Sequence, residues 1–396
     1  MNSNSIGSIH ARTEKRTGKK VYDVHYRVYD IEKGEKVKHM KRGFKYKREA
    51  QQFLDEIAAQ VKEDRYIAPQ TITVEEVALE WFDKHKVKIR PHTQSWYWNN
   101  VKNHIIPTIG HLPIQKLTVP ILQQMYDQKQ EDGLSATSIS YINRTMKMIF
   151  QHAIRKRYVS VNIASDPDLS FGKKEEPEMK ILVYEEIVHV LKDVIPWTSP
   201  VAVPFALGGL MGLRRGEVLG LRWSDIDFKE KKLSVIGQRT IYDEGEERSE
   251  LKTKNSKRVL PIPDLVCDML VYQKAKQFEL ADILGYDKML LESGYVCCYM
   301  DAQHFATGCK PTYFNRVFSK ALKEYNLPDM RFHDLRHSYA TNLLHMDIPL
   351  LTVSGLMGHS SPDITLRIYA HAVETLNHAD FQKVNDKINQ LANGAL

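Results

Sequence analysis

Tyr22, Val24, Tyr26 and Val28 alternate with Asp23, His25 and Arg27. A period of two predicts a strand with one buried face. Asp30 to Glu35 carries a turn signal, and Lys36 to Phe44 alternates again as a second strand. Ser8 to Arg12 is short enough for a third. From Lys47 to Val61 the period changes: Ala50, Phe53, Leu54, Ile57 and Ala58 fall on one side of a helix. The pattern predicts a three-stranded sheet backed by one helix. Asp64 to Thr73 has no period and reads as a linker. Thr73 and Glu76 then have capping-box spacing, which opens a helix.

The stretch to about Pro167 reads as helical, with turns at His104–Gly110, Lys116–Pro120 and Glu131–Ser135. A long helix starts at Ser135 and carries Ile139, Ile142, Met146, Ile149, Phe150 and Ile154 on its apolar side. Ser170 to Lys180 is a charged linker. Beyond it, helices are expected from Tyr184, over Ala202–Met211 and from Arg214 to Leu221. Trp223–Val235 and Arg258–Pro263 are expected as strands of a small sheet, with a Lys-rich hairpin, 251–258, between them. The acidic run 244–250 reads as a solvated loop. Phe332 to His371 is divided into three helical pieces by Pro349 and Gly358. The fold class expected is mainly α with small β-sheets: an N-terminal three-stranded sheet plus helix, a helical bundle, and a mixed α/β C-terminal domain. The expected domains span 1–66, 73–167 and 178–396.

Charge sharpens this division. Residues 1–50 carry 14 Lys/Arg against 6 Asp/Glu, a balance of +8, while the other 346 residues carry 42 against 43. A local cationic excess of this kind is the footprint of a nucleic-acid-binding arm. No run of 18 apolar residues predicts a membrane span, and MNSNSIGS lacks the apolar core of a signal peptide. Cys267, Cys297, Cys298 and Cys309 have neither disulfide-framework nor metal spacing. The expectation is reduced thiols in a cytoplasmic protein.

The chemistry concentrates near the C-terminus. His333 and Arg336 are three residues apart and share a helix face. His359 follows Gly358, and Tyr369 follows ten residues later. A phenol is a weak nucleophile at neutral pH; cations nearby favour its phenolate and also suit a phosphate under attack. Upstream stand Gly212-Leu213-Arg214-Arg215-Gly216-Glu217 and the hairpin Leu251-Lys252-Thr253-Lys254.

In order and spacing these motifs resemble the tyrosine recombinases of the phage and conjugative-element integrase type. The resemblance covers five motifs over about 155 residues: GLRRGE, the lysine hairpin, HDLRH, MGHSS and RIYAH. It departs only in Met357, where Leu is frequent, and Ser338, where Thr is common. It implies catalytic roles for Arg214, Lys252, His333, Arg336, His359 and the nucleophile Tyr369. Glu217 would hold Arg214 from behind. It also implies an arm-type DNA-binding domain at 1–66, a helical core-binding domain at 73–167 and a catalytic domain at 178–396. The implied DNA contacts are Lys36, Lys38 and Arg42 on the second strand, and Arg90, Thr93, Lys102, Arg144 and Lys147 in the bundle. Trp96, Tyr97 and Trp98 read instead as packing. The implied partners are double-stranded DNA at core and arm attachment sites, a homotetramer on synapsed DNA, and accessory proteins such as a host bending protein or an excisionase. No cofactor, metal or membrane is expected. An amphipathic segment after Tyr369 (Val373, Leu376, Phe381, Val384, Ile388, Leu391) would pack on a neighbouring protomer.

Other readings share parts of this pattern. A type IB topoisomerase, or a resolvase-type tyrosine recombinase without an integration role, would use the same chemistry. The basic N-terminal unit favours an integrase over a topoisomerase. A zinc hydrolase could use His333 and His337, but Asp334 stands where a His-Glu-x-x-His site needs Glu. A non-catalytic regulator of the same fold would have lost Tyr369 or an arginine, and all are present.

Overall fold

The computed structural model describes residues 6–14, 18–30, 35–63, 66–173, 179–242, 245–250, 256–359, 361–363 and 366. By compactness the chain divides into two units, 1–175 and 176–396.

The first unit holds two separate apolar cores. In the first, strands β1 (Gly7–Thr13), β2 (Lys20–Asp30) and β3 (Glu35–Phe44) form an antiparallel sheet with β2 central. Helix α1 (Lys47–Lys62) covers one face, burying Ala50, Leu54 and Ile57 against Val24, Tyr26 and Val28. The alternation in the sequence is therefore the alternation of the sheet's two faces. Asp23 is buried despite its charge. It accepts from Arg12 Nε at 2.7 Å and from the Gly43 amide at 3.0 Å, where β2–β3 pairing slips by a bulge.

The second core belongs to a helical bundle of α2 (Val74–Lys86), α3 (Pro91–Asn100), α4 (Ile106–Ile109), α5 (Val119–Glu131) and α6 (Ala136–Arg155). The Thr73–Glu76 capping box is present: Glu76 N donates to Thr73 Oγ1 at 3.2 Å, and Thr73 N donates to Glu76 Oε2 at 2.7 Å. The turn expected at His104–Gly110 is not a turn. The chain stays helical through a π-type turn, Val101–Ile105, into α4. Pro107 lacks the amide that a regular helix would use, and the widened turn accommodates it. Trp96, Tyr97 and Trp98 do pack: Tyr97 sits edge-on to Trp81 at 5.4 Å, Trp98 lies 5.0 Å from Phe82, and Trp96 lies 5.4 Å from Tyr141.

The second unit is built around α8 (Ala202–Gly209), whose eight residues are all buried. Around it lie α7 (Tyr184–His189), α9 (Arg215–Gly220), α10 (Asp264–Leu284), α11 (Lys288–Glu292), α12 (Pro311–Glu324), α13 (Phe332–His345) and α14 (Leu350–Met357). A small antiparallel sheet has the order β4 (Ile226–Asp227), β5 (Lys232–Val235), β8 (Arg258–Pro261). The single strand expected over Trp223–Val235 is broken. Trp223–Asp225 is a 3-10 turn, and Asp227 Oδ1 accepts from the amides of Lys229 and Glu230 at 3.0 and 2.9 Å, which reverses the chain between β4 and β5. The loop expected at 244–250 is also corrected. Residues 245–250 form strand β7 (Gly245–Glu250), paired antiparallel with β6 (Gly237–Tyr242). Six residue pairs in register outweigh the weak strand preference of its glutamates.

Among the described residues no helix is long and apolar enough to cross a membrane. Cys267, Cys297, Cys298 and Cys309 are free and buried.

Candidate active site

Arg214 caps α9. Its amide donates to Glu217 Oε2 at 2.9 Å, and its Nη1 donates to Glu217 Oε1 at 2.7 Å. One carboxylate thus starts the helix and holds the guanidinium. Glu217 is fully buried, and a second arginine shares it: Arg258 Nη2 reaches Oε2 at 3.0 Å and Nη1 reaches Oε1 at 3.2 Å. Burial alone would raise the Glu217 carboxyl; the hydrogen bond and charge of Arg258 and the charge of Arg214 outweigh it and hold it low.

Arg336, on α13, is 1% exposed and donates to the carbonyls of Gly212 and Met357. Arg214 Nη2 donates to the carbonyl of Gly358 at 2.8 Å. Both acceptor loops depend on glycine. Gly212 has φ +65°, and a Cβ there would lie 2.3 Å from Tyr339 Cδ1. Gly358, φ +61°, ends α14 in the left-handed conformation. These loops bring GLRRGE, HDLRH and MGH to one place. Three guanidiniums against one carboxylate leave a local excess of +2. Arg336 spends one N–H of each Nη on a carbonyl, and its Nε has no partner among the described residues. Among the described residues, three of its five N–H groups have no hydrogen-bond acceptor. Two planar guanidiniums, one buried and one partly exposed, are a strong arrangement for a phosphate.

His359 follows Gly358 and is 9% exposed. Burial first, then Arg336 and Arg214, push its imidazolium down to about 3. His333 is open to solvent on one side, and its ring meets His337 edge-on at 4.6 Å. Desolvation of its inner edge, then His337 and Arg336, pull it down as well, with more solvent screening than at His359. Both rings are neutral at pH 7, so one can accept a proton and the other can donate its N–H. Asp334 caps α13 and pairs with Arg331 at 2.7 Å, so it is engaged in structure. Among the described residues, no group of three His, Cys, Asp or Glu is placed to hold a metal ion.

The histidines carry a pH signature. A folded-state pKa below the unfolded 6.5 means that the unfolded chain takes up the proton first. Stability is complete above about pH 6.5 and falls as pH drops toward the folded value. His359→Asn should therefore lose less stability than wild type between pH 7 and pH 5, by about 2 kcal/mol. Urea unfolding at the two pH values measures this; equal losses in the two proteins would refute it.

Lys252, Tyr369 and the segment 373–391 lie outside the described residues. The DNA-contact candidates are all placed. Lys36, Lys38 and Arg42 are exposed on β3, on the face opposite α1; Arg90 precedes α3; Thr93 is half-buried; Lys102, Arg144 and Lys147 are exposed in the bundle. Arg258 was missed as a site residue by sequence reasoning. Its partner is 41 positions away, and its only local signal was a basic residue opening a strand after the lysine hairpin.

Residues 182–375 match the phage integrase family, residues 73–130 its N-terminal SAM-like domain, and residues 11–61 an arm DNA-binding domain. A "tyrosine recombinase XerC-like" protein of Caldanaerobacter subterraneus subsp. tengcongensis is 30% identical over 389 residues, covering 91% of this chain and 97% of the relative. In fold, the chain is similar to the Tn1549 transposon integrase in complex with transposon right end DNA (TM-score 0.65, 20% identity, 81% of this chain and 99% of that one). It is also similar to a lambda integrase tetramer bound to a Holliday junction (TM-score 0.56, 17% identity, 93% and 96%). With a relative this similar along nearly its whole length, and with the arginines of GLRRGE and HDLRH meeting beside the histidine of MGHSS, the chain belongs to the phage integrase family of tyrosine recombinases.

Proposed function

We propose that the chain is an integrase that cuts and rejoins duplex DNA at attachment sites through a 3′-phosphotyrosine, moving a mobile element into or out of a chromosome. The observation that carries this reading is the joint anchoring of Arg214 and Arg336 to the carbonyls of Gly358 and Met357, directly before His359. It builds a cationic seat for one phosphate at the start of the segment that leads to Tyr369.

The chemistry follows from the groups. Tyr369 Oη attacks the scissile phosphorus and the P–O5′ bond breaks. Arg214 and Arg336 neutralise the charge growing on the non-bridging oxygens, and His359 donates to one of them. His333 takes the tyrosine proton. Lys252, on the segment between β7 and β8, gives a proton to the departing O5′. The products are a 3′-phosphotyrosine and a free 5′ hydroxyl. The ester conserves the bond energy, so a 5′ hydroxyl from another strand reverses the step without ATP.

The division of labour we propose assigns arm-site reading to 1–66, core-site binding to 73–167 and chemistry to 178–396. Lys36, Lys38 and Arg42 lie on a sheet face that suits a major groove. Arg90, Thr93, Lys102, Arg144 and Lys147 would contact phosphates. A tetramer on paired sites follows by analogy with lambda integrase on a Holliday junction, with accessory bending or excision proteins and a cytoplasmic setting as further parts of this reading.

The leaving-group role tests the proposal. On a nicked suicide duplex carrying an attachment sequence, wild type should accumulate covalent adduct, in EDTA as in magnesium. Lys252→Ala should cleave about 100-fold more slowly, as expected for loss of a general acid. A 5′-bridging phosphorothiolate should restore its rate, because the sulfur leaves with little need of a proton. Rescue of Lys254→Ala in place of Lys252→Ala would move the acid to Lys254.

A further inference from the structure

We propose that Arg258 is a positioning residue of the strand-cleavage site: it shares the Glu217 carboxylate, so that Arg214 keeps its charge and its free N–H groups for the scissile phosphate. The inference rests on the reading of Arg214 as a phosphate ligand.

Arg258 opens β8, immediately after the segment that holds Lys252. Its side chain is 7% exposed, against 32% for Arg214. One guanidinium touches three segments. Nε donates to the Leu356 carbonyl at 2.7 Å, Nη1 to the Ser256 carbonyl at 3.2 Å, and both Nη atoms to Glu217. It therefore joins Ser256, just before β8, to the start of α9 and the end of α14, three residues before His359. Gly358 allows this approach, since a Cβ there would lie 3.0 Å from Arg258 Nη1.

The carboxylate oxygens are divided between the two arginines. Oε1 accepts from Arg214 Nη1 at 2.7 Å and from Arg258 Nη1 at 3.2 Å; Oε2 accepts from the Arg214 amide at 2.9 Å and from Arg258 Nη2 at 3.0 Å. A buried carboxylate stripped of one cation takes what it can from the other. Without Arg258, the more exposed Arg214 turns into Glu217 with both nitrogens. Its charge is then cancelled inside the protein, and the fork that should grip phosphate is used up. The defect is thus one of transition-state stabilisation, and removing the Glu217 charge should relieve it.

The experiment measures single-turnover cleavage of the suicide duplex at saturating DNA, with site affinity and melting temperature measured alongside. Arg258→Met should cleave about 100-fold more slowly than wild type with little change in affinity, as for loss of one aligned donor. The double variant Arg258→Met/Glu217→Gln should recover at least about tenfold of this, because a neutral amide no longer captures Arg214. A merely structural Arg258 predicts the reverse, a double variant as slow as Arg258→Met or slower, and that result overturns the inference. So does an Arg258→Met enzyme within about threefold of wild type. If Arg258→Met does not fold, Arg258→Gln takes its place in the same comparison, with the same opposed outcomes. Arg214→Ala is included: its cleaving like wild type would sink the phosphate-ligand reading itself, whereas its failure beside an unrescued double variant sinks the Arg258 inference alone.

Discussion

Tyr369→Phe is expected to bind attachment-site DNA as tightly as wild type and to form no covalent complex with it. The substitution removes a single oxygen. In the proposed mechanism the charges that hold the phosphate belong to Arg214 and Arg336. Affinity for DNA comes from many phosphate contacts spread over the protein, so losing one phenol leaves it almost unchanged. Cleavage, in contrast, has no other nucleophile in the proposed mechanism. Gel-shift affinity and a denaturing gel of the suicide-duplex reaction separate the two properties. Adduct formed by Tyr369→Phe would remove Tyr369 from the mechanism.

The second large effect is expected at Arg336. Arg336→Lys keeps a positive charge but cannot bond the Gly212 and Met357 carbonyls and also present a planar pair of donors to phosphate. Single-turnover cleavage should fall about 1,000-fold, the scale for loss of a preorganised donor set at a developing charge. Stability should fall too, by about 1–3 kcal/mol, because at least one buried carbonyl loses its donor. The cleavage loss exceeds what partial unfolding would cause, so melting temperature and rate measured on one preparation keep the effects apart. An Arg336→Lys enzyme within about tenfold of wild type would break the assignment of Arg336 to the transition state.

The legibility of the site in the sequence depended on distance along the chain. His333 and Arg336 are three residues apart, as are Arg214 and Glu217, so each pair is local in sequence, and Arg214 pairs with Glu217 in the structure. The alternation over 22–28 located β2, because one face of that sheet is covered by α1 and the other is not. Arg258 was not legible, since its contacts form only where β8 passes the start of α9 and the end of α14. Gly212 and Gly358 could be recognised as breaks, but their use as carbonyl suppliers to Arg336 and Arg214 follows from backbone directions that no period encodes. The bend expected at His104–Gly110 failed because a π-type turn passes Pro107 without ending the helix. The loop expected at 244–250 failed because strand pairing with β6 overrides the preference of an acidic run.

The central claim is that this family member breaks DNA by joining it to Tyr369. The direct measurement is to trap wild-type protein on a nicked attachment-site duplex, digest the adduct with nuclease and protease, and sequence the nucleotide-bearing peptide by mass spectrometry. The account predicts a 3′-phosphonucleotide on Tyr369, within the peptide that contains Ile368 and Ala370. A nucleotide on any other residue, or cleavage that leaves both ends free of protein, would contradict it.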